Sequence, residues 1–179
     1  MNSHFNQKPP RTLASLLLLF LFFELSAQKS TTIDYADILS FSFPTDYSII
    51  QNTDSLKVYH GKTDRTNYVC MIMLLNKKYP TIKSLEEFYK YIYDGMSRNK
   101  GFRNTKSKFS SFHRLHAYQS TSETQLKGLD ATADFFILSI KTTMFVFQII
   151  RPRESPSDLG DFINRVTLKK DYSLKDQIN

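Results

Sequence analysis

Few side chains in this 179-residue chain have the type and spacing that chemistry requires. Downstream of an apolar N-terminal run they are His60, His113, His116, a single Cys70, and the carboxylate pairs Glu86-Glu87 and Asp130 with Asp134. A zinc site needs at least three protein ligands. His113 and His116 meet only on a helix; a strand sends them to opposite faces, and the flanking pattern predicts a strand. No carboxylate stands between Asp94 and Glu123 to complete a set. The histidines are expected to be surface or hydrogen-bonded groups, with no metal and no other cofactor.

Nucleophilic catalysis has no better footing. No Gly-x-Ser-x-Gly elbow exposes a serine on a sharp turn. Neither Gly-x-Gly-x-x-Gly nor Gly-x-x-x-x-Gly-Lys is present to cradle a phosphate. Cys70 sits inside the apolar stretch Tyr68–Leu75, where a thiol packs as a small hydrophobe. Glu86 and Glu87 fall where a first helical turn is expected, and acids there offset the helix dipole. Asp130 and Asp134 alternate against Ala131, Ala133 and Phe135, which puts both on one solvated sheet face. That pair is the closest approach to the two carboxylates of a glycosidase. It supports the alternative reading, an envelope enzyme acting on glycan or lipid.

The strongest signal is electrostatic. Arg98, Lys100, Arg103, Lys106, Lys108 and Arg114 place six positive charges in 17 residues without one acid. Phe102, Phe109 and Phe112 are interleaved with them. Such a segment could present a cationic, aromatic-bearing surface to a polyanion or an anionic membrane. Two plainer causes act on the same residues. Cations are favourable at a helix C-terminus, and lysines blunt an exposed strand edge.

Residues 1–27 read as a cleavable export signal. Lys8 and Arg11 precede the apolar run Leu13–Phe23, and Leu25-Ser26-Ala27 ends in a small residue before Gln28, the pattern of a secretory leader and its cut site. A spanning helix needs about 20 apolar residues, so the run is short for a permanent span; an uncleaved anchor over Leu13–Leu25 is the alternative. Gln28 also stands where a lipoprotein would need cysteine. Loss of Lys8, Arg11 and Glu24 takes the formal charge from +7 to +6, so the cationic segment equals the whole net charge of the mature chain. The expected address is periplasmic or extracellular. Nucleic acid is not an expected partner, because export removes the usual ligand and no recognition motif is visible.

Positioning these residues falls to one domain. Residues 28–37 are a short polar lead-in, 38–168 the domain, and 169–179 a polar tail. Leu39, Phe41 and Phe43 alternate with serines as in a half-buried strand ended by Pro44. Tyr47–Ile50 and Leu56–His60 continue the pattern, and Tyr68–Leu75, apolar on both faces, predicts a central covered strand. Ser84 to Glu87 has the form of a capping box opening a helix, with Leu85, Phe88, Ile92 and Met96 as its apolar stripe and Gly101 as its stop. Four strand-like stretches follow, Phe102–Phe109, His113–Thr124, Leu129–Ile140 and Thr143–Arg151, with turns at Gly128 and Lys141-Thr142. A second helix starts near Ser155–Asp158 and carries Leu159, Phe162, Ile163 and Val166. Short connections between strands favour antiparallel pairing. The expectation is an α+β domain, an antiparallel sheet of about six or seven strands, with one helix after the third or fourth strand and another at the C-terminus.

The opening Phe41-Ser42-Phe43-Pro44 and this element order resemble the PsbP-like family. Leu56–Leu75, Ser84–Gly101, Phe102–Arg151 and Ser157–Val166 fall in the family's sequence of strands, helix, meander and closing helix. The resemblance spans roughly residues 38–168, with Asp46-Tyr47 standing where the family commonly has Gly-Trp. It implies a PsbP-like sandwich and an accessory or binding role, as in extrinsic photosystem subunits, a nuclear-transport cofactor and bacterial envelope proteins, without a shared catalytic site. The leading expectation is a non-enzymatic exported protein that binds an envelope protein or anionic surface through its sheet edge or basic segment. A structural subunit of a larger assembly is a third reading. Cleavage is checked by mass spectrometry of the mature protein: Gln28 is the expected first residue, and an intact Met1 would establish the anchor instead.

Overall fold

The computed structural model describes residues 32–98 and 101–178. The leader, the Ala27–Gln28 junction and Lys100 lie outside the described residues. The described residues form two antiparallel sheets. The smaller contains β1 (Thr32–Tyr35), β2 (Leu39–Ser42) and β10 (Val166–Leu168), with β2 in the middle. The larger contains β3 (Tyr47–Asn52), β4 (Leu56–Lys62), β5 (Asn67–Leu74), β6 (Arg103–Phe112), β7 (Leu115–Leu126), β8 (Leu129–Ile140) and β9 (Thr143–Pro152). Its spatial order is β3-β4-β5-β9-β8-β7-β6, so β3 and β6 are the outer strands. Helix α1 (Ile82–Arg98) connects β5 to β6, and the short α2 (Leu159–Ile163) connects β9 to β10.

The α+β reading holds, with differences of detail. The ordered sheet reaches back into the segment expected as a lead-in, because Ile33 on β1 is buried against the core; α1 consequently follows the fifth strand. Helix α1 opens at Ile82 rather than at Ser84. Thr81 and Ser84 exchange the two bonds of a capping box: the Ser84 N–H donates to Thr81 Oγ1 at 3.1 Å and the Thr81 N–H to Ser84 Oγ at 3.2 Å. Glu86 and Glu87 therefore stand beyond the first turn, which carries no acid. The second helix ends at Ile163, and Val166 is buried through a strand that pairs with β2 instead of through a fourth helical contact.

Two apolar layers hold the large sheet. On one face, Leu85, Tyr89 and Tyr93 of α1 pack over Tyr118, Phe135, Ile137 and Val146. On the other, Phe41 and Phe43 of the Phe-Ser-Phe-Pro segment meet Phe147 and Phe162 in edge and tilted contacts with centroids 5.4 to 5.9 Å apart. Such ring pairs add roughly 0.5–1.5 kcal/mol each beyond area burial. β8 and β9 lie between the layers and are covered on both faces. β5 was expected in that position, but only Tyr68, Cys70 and Ile72 on its small-sheet face are buried, while Val69, Met71 and Met73 are half-exposed. Burial pushes the Cys70 thiol well above its ordinary pKa, so it packs rather than reacts.

One polar cluster pins α1 and the chain's C-terminal segment to the sheet. The Ser139 N–H donates to Tyr89 Oη at 2.8 Å, and the Tyr89 and Ser139 hydroxyls are also 2.8 Å apart. Gln177 is buried beside them; its Nε2 donates to the carbonyls of His116 and Ser139 at 2.8 and 2.9 Å, and its Oε1 accepts the His116 N–H at 2.6 Å. Burial raises the Tyr89 hydroxyl's pKa, keeping it a neutral donor and acceptor. Tyr89→Phe removes the partner of a buried N–H. The expected cost is about 1–3 kcal/mol of stability, read as a lower midpoint in urea unfolding with an unchanged slope.

Candidate functional site

The structure divides the six sequence-predicted cations. Arg98 ends α1 beside Met71, Met73 and Met96, on the helix-covered side of the sheet. Arg114 sits in the β6–β7 hairpin and is ion-paired to Asp171. Lys100 lies outside the described residues. Arg103, Lys106 and Lys108 remain, all on the outer strand β6.

Register fixes where those three point. Lys106 lies opposite Thr121 and Lys108 opposite Gln119 on β7. Residues two apart on a strand share a face, and Thr121 faces the small-sheet side, where its hydroxyl donates to Asp134 at 2.7 Å. Lys106, Lys108, Gln119 and Thr121 together line a cavity of about 270 Å³, walled by Leu159 of α2. Arg103 lies opposite Glu123 across a register shift, where Asn104 takes a left-handed φ of 52°. It lines an adjoining cavity of about 250 Å³ with Asn104, Glu123 and Arg153.

Two of the neighbouring acids are already engaged. Glu123 accepts Asn104 Nδ2 at 2.7 Å and pairs with Arg153 at 2.9 Å. Asp134 is 1% exposed and receives Arg151 Nε at 3.1 Å, Ser157 Oγ at 3.1 Å and Thr121 Oγ1. Arg151 in turn donates to the Ser155 carbonyl. Among the described residues no ion pair involves Arg103, Lys106 or Lys108. Lys106 and Lys108 therefore face a shallow groove whose lining holds no acid, while Arg103 shares its own cavity with Glu123 and Asp130.

The interleaved aromatics do not share that surface. Phe102 packs edge-on against Phe135, and Phe109 contacts Tyr118 and stacks on His116 at 5.2 Å, all on the α1 side. Phe112 packs on Phe136 in the core. Strand alternation puts Phe109 on the face away from Lys106 and Lys108, whereas Phe112 lies in the lysines' own row and is turned into the core.

The other candidates are scattered. Asp134 was expected on a solvated face with Asp130, but it is buried in the ion pair with Arg151, while Asp130 is exposed at the β7–β8 hairpin. A solvated carboxylate pair is not formed there. His60 meets Asn67 Oδ1 at 3.4 Å, His113 occupies a turn, and His116 Nε2 lies 2.8 Å from Glu86 Oε1. Among the described residues no three His, Cys, Asp or Glu side chains come together as a metal site. No described helix is long and apolar enough to cross a membrane.

No family model matches the chain. No curated protein matches it either. Among solved structures it is similar to the solution structure of cyanobacterial PsbP (CyanoP) from Synechocystis sp. PCC 6803, at 9% identity and a TM-score of 0.53, over 81% of this chain and 95% of that one. It is also similar to a crystal structure from Bacteroides thetaiotaomicron VPI-5482, at 12% identity and a TM-score of 0.48, over 74% of this chain and 46% of that one. This chain therefore spans less than half the length of the Bacteroides protein. The fold is PsbP-like.

Asp134→Ala leaves the Arg151 guanidinium buried without its partner. Breaking one side of such a pair costs about 3–5 kcal/mol, so chemical denaturation should show a loss of that size. A loss below about 1 kcal/mol would return Asp134 to the pool of functional carboxylates.

Proposed function

We propose that this protein is an exported accessory protein of the cell envelope that works by binding, and that it grips an anionic group through β6. The observation that carries this reading is the pair Lys106 and Lys108, without ion pairs among the described residues and open to a groove lined by no acid, with Arg103 further along the same strand. Adjacent like charges repel. Folded proteins ordinarily lower that cost by placing acids nearby, and here Asp134 and Glu123 are turned to Arg151 and Arg153 instead. An anion in the groove supplies the missing counter-charge.

The leader supports an extracytoplasmic setting, and the resemblance to PsbP-like proteins supports a binding role. The remaining exposed ion pairs, Lys169 with Asp34 and Lys170 with Asp37, join the β10 end of the chain to the small sheet and leave their lysines occupied. Other cations without ion pairs, Lys62, Arg65 and Lys127, line a cavity that also holds Asp64 and Asp130, whereas the lining around Lys106 and Lys108 holds no acid.

The test is retention on an immobilised polyanion such as heparin across a salt gradient. The wild-type mature chain should be retained and released as salt rises, because screening shortens the reach of surface charge. A variant carrying Arg103→Glu, Lys106→Glu and Lys108→Glu should lose retention while unfolding at a near-normal midpoint. Equal retention of that variant would overturn the assignment of the site to β6.

A further inference from the structure

We propose that β6 receives an acidic, extended segment of a partner protein as an added strand of the large sheet. The inference rests on the anion-binding reading of β6 and specifies what brings the anions.

The backbone supplies the first half of the site. Among the described residues β6 pairs only with β7, so one side of a ten-residue strand offers its N–H and C=O groups to whatever docks there. The register shift near Asn104 interrupts regular pairing, which leaves Lys106–Phe112 as the straight part. An incoming strand of about seven residues would match it at roughly 3.3 Å per residue.

Side chains supply the second half. Lys106 and Lys108 are two apart on one face, and directly opposed residues of an added strand would bring their Cβ atoms to about 4.5–5.5 Å. Carboxylates at every second position of that strand therefore meet both lysines at once. The hydroxyl of Ser110, next in the same row, is buried without a hydrogen-bond partner. Being enclosed by the protein, it is out of reach of an added strand and leaves recognition to the two lysines.

Charge also sets the selectivity. Lysines along an edge repel basic strands and discourage neutral ones, while an alternating acidic strand turns the same charges into attraction. The opposite edge shows what is missing elsewhere. β3 carries exposed Ile49 and Ile50, no charged residue and a register shift at that point. It has no complementarity that names a partner.

A flat membrane fits less well. Lys106 and Lys108 stand on a strand whose outer backbone groups are open, and an extended chain can bond those groups in register, which a bilayer surface cannot.

The experiment uses the mature chain with capped synthetic heptapeptides, followed by calorimetry and by amide exchange of β6. The probe is Glu-Val-Glu-Val-Glu-Val-Glu. The controls are a same-composition peptide with its glutamates clustered, two versions N-methylated at alternate backbone positions, and phosphatidylglycerol vesicles. The alternating peptide should bind, slow exchange along Lys106–Phe112 and weaken at least tenfold on methylation of one alternate set of nitrogens but not the other. Binding that ignores both methylation and spacing, or that occurs with vesicles alone, would overturn strand addition while leaving anion binding intact. Binding of peptide and vesicles by Lys106→Glu/Lys108→Glu undiminished would remove both.

Discussion

The fold depends on covering β8 and β9 on both faces at once. Every residue from Ala131 to Ile149 is buried except Lys141 and Thr142 at the turn. A sheet strand has two faces, so two separate layers must be found for it. One helix provides the first, and a three-stranded sheet with a short helix provides the second. A helix with its side chains is about 10–12 Å across, whereas seven strands at about 4.8 Å spacing span nearly three times that. The cover is therefore narrower than the sheet. The central pair is sealed, and the outer strands are left with open surface.

Polar groups are handled with the same economy. Tyr89 crosses from α1 to β8 and shares its hydroxyl with a backbone N–H and a serine, while Gln177 fills the remaining carbonyl positions. Tyr93 does similar work further along the helix, bonding Thr105 on β6 and Ser122 on β7. The helix thus fixes the outer strand as well as the central ones. For the proposed recognition, an edge already held in place spares the entropy of ordering both sides.

Much of this was legible from residue order. Alternation located nearly every strand, the apolar stripe of Leu85, Phe88 and Ile92 located α1, and the expected turns at Gly128 and Lys141-Thr142 are present, with positive φ at Gly128 and Lys141. Short-range patterns failed where the deciding contact was distant. Thr32–Tyr35 looks polar and frayed, and it becomes a strand only because β2 lies alongside. Val166 fits a helical spacing and a strand equally well, and pairing with Phe41 decides between them. Asp134 has the alternation of a solvated residue; its burial depends on Arg151, brought opposite through the β8–β9 hairpin, and on Ser157 beyond it. The cations were found in sequence as one block, but the division into a paired Arg114 and unpaired lysines needed the position of Asp171, which lies 57 residues away.

That division bears on why the lysines are there. A single inward lysine suffices to protect a sheet edge from its own kind, and a solubilising charge has no need to sit over a groove. Lys106 and Lys108, two residues apart on one face, repel each other across roughly 7 Å, a distance that salt at physiological strength screens incompletely. The free protein holds that repulsion because the strand is anchored elsewhere, by Phe109 and Phe112 on its apolar contacts and by Tyr93 through Thr105. Packing carries the fold, so the cationic row is released from any structural duty. A row of charges that the core does not require, on a strand whose backbone is open on one side, gains stability only when something negative arrives. By linkage, whatever binds this state alone stabilises the whole domain in proportion to how well it fills the row.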